Sequence, residues 1–165
     1  MKQVDIFIAA DIRGPARGTG RVMYLMRTKR DNGADYESLP SVAEYDGVTE
    51  GRLVLLALRD ALQRMNYACR IAVHTESTYI TAAIEKHWPE AWERNGWKNA
   101  RGKEVRDSIL WSQIHQMQEE SGHILSAECG SHEYAHWMRF QMPLAPAYKD
   151  IFSEVREDRV RSVYD

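Results

Sequence analysis

The stretch from Cys69 to Met117 constrains this chain more than any other. Its front, Arg70-Ile71-Ala72-Val73-His74, is apolar at the centre and carries β-formers at Ile71 and Val73, which predicts a strand. Thr75-Glu76-Ser77 ends that run and puts a carboxylate at the strand's C-terminal edge. Ser77 is a candidate N-cap for a helix carrying Ile80, Ala83, Ile84 and His87 at helical spacing. A carboxylate at a strand end beside a helix start is a common place for chemistry in α/β proteins. It is equally a common capping position, and from these residues alone the two readings stand level.

Upstream, Lys2 to Ala10 alternates as a strand does, with Ile6, Ile8 and Ala10 on one face and Asp5, Phe7 and Ala9 on the other. Arg13 to Gly20 is a turn-rich connector and Arg21 to Thr28 a second strand. The connector's glycines lack a Gly-Lys-Ser/Thr ending and lead into a strand, so a hairpin loop is favoured over a phosphate loop. Val42 to Tyr45 is a third strand. Thr49 then caps a helix from about Glu50 to Asn66, with Leu53, Leu56, Ala57, Leu58, Ala61 and Leu62 mostly on one side. Downstream of the organising stretch, a helix runs out over His115 to Glu120 and Gly122 stops it. His123 to Cys129 predicts a fifth strand, and His132 to Gln141 a last helix ended by Pro143. The tail from Leu144 holds one candidate short helix, Tyr148 to Glu157.

At residue level the organising stretch resembles the type 1 ribonuclease H domain. The residues that carry the resemblance are Thr75, Ser77, Tyr79, Ile84, Trp88, Trp92, Gly96, Trp97, Lys98, Val105, Leu110 and Trp111, in order and nearly ungapped. More weakly, it extends from Lys2 to about Met142. It implies an α/β ribonuclease H-like fold, a five-stranded mixed sheet with helices on both faces, over residues 1–142 with 143–165 as a C-terminal extension. It also implies hydrolysis of the RNA strand of an RNA–DNA hybrid, with Mg²⁺ or Mn²⁺ held by four acidic side chains. Hard divalent ions take oxygen ligands, and two of them can activate water and stabilise a leaving oxygen.

On this resemblance Glu76 takes the third acidic position, where Asp is usual. Glu50 is the match to the acid at the start of the first helix, although Arg52 follows it and the family's phosphate-binding Thr and Arg lie ahead of their Glu. An ungapped alignment puts Ala9 at the central Asp, leaving Asp11, two residues on, to supply a carboxylate; Asp5 shares the face but sits deeper. His136 falls at the fourth position, with Glu133 and His132 about one turn before it. A His there resembles the Asp-Glu-Asp-His sets of Argonaute-type nucleases, and a packed structural His is the alternative. The candidate catalytic set is therefore Asp11, Glu50, Glu76 and His136, the first three as metal ligands. Trp92, Trp97, Lys98, Arg101 and Lys103 resemble the basic, aromatic handle with which the family contacts the DNA strand, by phosphate contacts and ring stacking. Packing in the core is the competing reading for the tryptophans.

Composition narrows the partners. A net charge of -2 means that nucleic acid would meet a local basic patch rather than a basic protein. Cys69 and Cys129 lack paired spacing, which argues against zinc and for reduced thiols. No signal peptide precedes them and no apolar run approaches the ~18 residues of a membrane span. A cytoplasmic protein with no membrane association and no obligate protein partner is expected. A second reading keeps the fold and nucleic-acid binding but not catalysis; a third is a nuclease of the same superfamily with another substrate.

Overall fold

Strand β1 (Lys2–Ala10) separates two apolar clusters by its own alternation. Val4, Ile6, Ile8 and Ala10 enter the main core, while Phe7 and Ala9 face the other way. The computed structural model describes residues 1–150, with side chains through residue 147. β2 (Gly18–Lys29) pairs antiparallel with β1, and β4 (Ser41–Val48) antiparallel with β2. A three-residue strand, β3 (Asp35–Glu37), also pairs with β2. α1 (Glu50–Gln63) then crosses over to β5 (Cys69–Thr75), which lies parallel to β1. α2 (Thr78–Glu85), α3 (Trp88–Arg94) and α4 (Ser108–Ser121) lead to β6 (Ile124–Cys129), parallel to β5. α5 (Ala135–Gln141) and a second three-residue strand, β7 (Tyr148–Asp150), follow. The sheet order is β6-β5-β1-β2-β4-β7, with β3 paired to β2 off this path.

The five expected strands form this mixed sheet, to which β3 and β7 add two short edges. α1 supplies the main core: Leu53, Leu55 and Leu58 are fully buried against Ile6, Ile8 and Val48. α5 covers the opposite face, where Met138 and Met142 pack on Phe7, Ala9, Met23 and Leu25. Burying apolar area of this order is the principal drive for folding.

Several boundaries differ from expectation. α1 ends at Gln63, and the last helix begins at Ala135 rather than His132. His87 is not in a helix: its φ of 56° breaks the chain between α2 and α3. Tyr148–Asp150 is a strand parallel to β4, not the start of a helix, because it finds an open sheet edge that no local pattern announces. The rest of that expected helix lies outside the described residues.

Candidate active site

β5 ends at Thr75, and Glu76 follows at the edge beside the parallel β1. The Ser77 hydroxyl accepts from Ile80 N at 3.3 Å and starts α2, so the local sequence fixes where the Glu76 side chain emerges. Glu50 opens α1 just after its N-cap, Thr49, whose hydroxyl accepts from Arg52 N at 3.1 Å. The two acids meet on one guanidinium. Arg13 Nη1 lies 3.7 Å from Glu50 Oε2, and Arg13 Nη2 lies 3.0 Å from Glu76 Oε2. Gly14 N donates to Glu50 Oε1 at 3.1 Å. From the other face of the sheet, Arg139 on α5 donates to Glu76 Oε1. Burial pushes the Glu76 carboxyl up, but the hydrogen bonds and charges of Arg13 and Arg139 outweigh it and hold the group below the usual range.

The other expected ligands do not join these ion pairs. Asp11 lies beyond the end of β1, exposed, and its Oδ1 accepts from Arg21 N at 2.7 Å, closing the β1–β2 hairpin. Ala9 is 3% exposed and packs among Phe7, Met23 and Met138, so no carboxylate stands at that point of β1. Beyond Arg52, α1 carries no acid until Asp60, and Asp60 is buried as the acceptor of the Tyr24 hydroxyl. His136 is exposed on α5, and it is Arg139, three residues later, that reaches Glu76. Asp5 pairs with His74 Nε2 at 2.9 Å, and Glu133 with Arg27 at 2.9 Å. His132 Nε2 donates to Ile8 O at 2.9 Å, while its Nδ1 accepts from Tyr134 N at 3.2 Å.

Among the described residues no three His, Cys, Asp or Glu side chains converge as a metal site. With both guanidiniums in place, the formal charges of Glu50, Glu76, Arg13 and Arg139 cancel. This arrangement does not fit a pair of divalent cations, which need several oxygen donors and a net negative cage.

A cavity of about 190 Å³ opens beside Glu50. Gly14, Thr49, Ser77, Thr78, Arg106 and Asp107 are among the residues that line it, so the N-termini of α1 and α2 both border it. Asp107, at the start of α4, is held by Arg52 at 3.1 Å.

The expected handle divides in two. The rings are packed: Trp92 lies edge-on to Trp111 with centroids 5.7 Å apart, and Trp97 edge-on to His115 at 6.2 Å. Both tryptophans are half-buried against the main core. Lys98, Arg101 and Lys103 are exposed on the 95–107 loop, whose turn is pinned by Asn99 Oδ1 accepting from Arg101 N at 2.9 Å and Lys103 N at 3.1 Å. Sequence reasoning missed Arg13 and Arg139. Their only local signal was a cation next to the right elements, Arg13 just past β1 and Arg139 one turn beyond His136.

The RNase H family model matches residues 13–133. A ribonuclease H of Oleidesulfovibrio alaskensis is 29% identical over 156 residues, covering 87% of this chain and 96% of that protein. One from Nitratidesulfovibrio vulgaris is 38% identical over 66 residues, covering 40% of this chain and 42% of that protein. In structure, the chain is similar to LC9-RNase H1, described as a type 1 RNase H with the type 2 active-site motif. The TM-score is 0.67 at 19% identity, over 88% of this chain and 74% of that one. With the sheet order and the β5–Glu76–α2 junction as described, the match over residues 13–133 means that this chain belongs to the RNase H family.

Proposed function

We propose that this protein hydrolyses the RNA strand of RNA–DNA hybrids as an RNase H-type endonuclease. The observation that carries this reading is Glu76, presented at the β5 edge beside β1 within the segment the family model spans. RNase H enzymes generally use divalent metal ions. In this chain Glu50 and Glu76 are the acids that meet; they would offer oxygen ligands to Mg²⁺ or Mn²⁺ only with the Arg13 ion pairs broken. Asp11 is engaged by Arg21 N and His136 stands exposed on α5, so the proposal rests on Glu50 and Glu76.

The chain's own residues bind and orient the hybrid. Lys98, Arg101 and Lys103 stand exposed on one loop and meet backbone phosphates. Recognition rests on groove shape and the 2′-OH, so little dependence on base sequence is expected. Among the described residues no helix is long and apolar enough to cross a membrane. A cytoplasmic location, independence of a protein partner, and a C-terminal extension over 143–165 form part of the same proposal.

A second reading, a hybrid-binding module without cleavage, is favoured by one observation: both carboxylates that meet are already neutralised by guanidiniums. An end-labelled hybrid incubated with Mg²⁺ or Mn²⁺, wild type beside Glu76→Gln, separates the two. RNA cleavage that disappears in the variant supports the nuclease. Intact RNA with retained hybrid binding supports the module. Cleavage that survives in Glu76→Gln rules out the site described above.

A further inference from the structure

Two carboxylates drawn towards one point repel unless a cation stands between them. Here the cation is part of the chain. Arg13 sits in the connector after β1, outside any helix or strand, and its two terminal nitrogens are shared between Glu50 Oε2 and Glu76 Oε2. The acids are the fixed partners and the guanidinium the loose one: their side chains are 15% and 19% exposed, while that of Arg13 is 53% exposed. Glu50 is also held by the backbone N–H of Gly14, the next residue after Arg13, and Glu76 by Arg139.

We infer that Arg13 is the resident cation of this centre and closes the Glu50–Glu76 pair to divalent ions in the free protein. The formal charge of the four-residue cluster is zero with Arg13 in place and -1 when it leaves. A divalent ion approaching the closed centre therefore meets no net attraction and finds the facing oxygen of each acid already engaged. Removing Arg13 restores both the charge and the two oxygens. Metal occupancy and the Arg13 ion pairs compete for the same atoms, so each weakens the other reciprocally. Because it concerns the same acid pair, this inference rests on placing the centre there. It does not depend on RNA cleavage, which is why its test reads metal binding alone.

The test is Mn²⁺ binding to the full chain, followed by the paramagnetic resonance of free Mn²⁺ and by thermal denaturation with and without the ion. The proteins are the wild type, Arg13→Ala, Arg13→Gln, and Arg13→Ala combined with Glu76→Gln. Arg13→Gln keeps part of the side-chain bulk and guards against a packing effect in Arg13→Ala. Both single variants are expected to bind Mn²⁺ at least tenfold more tightly than the wild type and to gain melting temperature on its addition. The double variant is expected to lose that gain. Equal affinity in wild type and single variants overturns the inference, as does no binding by either single variant. Tighter binding that persists in the double variant overturns it as well. Hybrid cleavage failing while Mn²⁺ binding behaves as expected would sink the proposed activity and leave Arg13's role standing.

Discussion

At Glu76 one carboxylate is held by two arginines that lie 63 residues before it and 63 after it in the chain. A more deeply buried acid is Asp60 on α1, which accepts from the Tyr24 hydroxyl and pairs with Arg64. Burial raises the Asp60 carboxyl and the Tyr24 phenol alike; the Tyr24 hydrogen bond and the Arg64 and Arg59 charges pull Asp60 back in part. Tyr24→Phe removes the donor and leaves the acid buried, so chemical denaturation should show a loss of about 1–3 kcal/mol. Trp111 makes the complementary case in the apolar core: 1% exposed, it donates through Nε1 to the Tyr79 hydroxyl at 3.1 Å. Trp111→Ala is expected to cost about 3–5 kcal/mol, the range for deleting a large core ring. A loss under about 1 kcal/mol would mean that the site collapses freely around the cavity.

Among the elements, the proposed function rests on α1 and the 95–107 loop. α1 is buried from Arg52 to Leu62 and depends on Thr49 for its start, since that hydroxyl accepts from Arg52 N. Thr49→Ala should lower stability by about 1 kcal/mol in the same denaturation experiment. It should also loosen Glu50, the residue immediately after the cap. On the proposed reading the loop acts through charge. Replacing Lys98, Arg101 and Lys103 together by Ala should weaken hybrid binding and flatten its salt dependence, by up to about 0.9 in the logarithmic slope for each phosphate no longer neutralised. Melting temperature should hold, because all three side chains are exposed. An unchanged salt slope would place the nucleic-acid surface elsewhere on the molecule.

At the scale of the whole molecule, two histidines used as neutral acceptors make stability depend on pH near neutrality. His123 Nδ1 accepts from Cys69 N at 3.1 Å, and His132 Nδ1 accepts from Tyr134 N. Burial lowers both below the ordinary value of 6.5; for His132 the bond to Ile8 O offsets part of that. The unfolded chain therefore takes up protons first as pH falls. Stability is constant with respect to these groups above about pH 7.5 and declines as pH drops through 6.5 towards the folded values. Denaturation midpoints measured from about pH 8 to about pH 5 should fall in the wild type, and less steeply in His123→Asn, which keeps an acceptor for Cys69 N. A parallel decline in both proteins would assign the pH dependence to other groups.

Strand alternation, the caps at Thr49 and Ser77, and the succession of the five long strands along the chain were legible because each depends on residues close together in sequence. The position of Glu76 at the end of an apolar strand was legible for the same reason, while its place in a site came only from the family resemblance. The short strands β3 and β7 were not, because three residues carry no period and the edge they join lies far off in sequence. Which acids share a centre was likewise decided only by the tertiary structure. Asp11 folds back onto Arg21 within its own hairpin, whereas the sheet and α1 bring Glu50 and Glu76 together. Arg13 and Arg139 then fill the centre: a long side chain with a terminal charge finds its partner through space, and nothing in its local sequence records that destination.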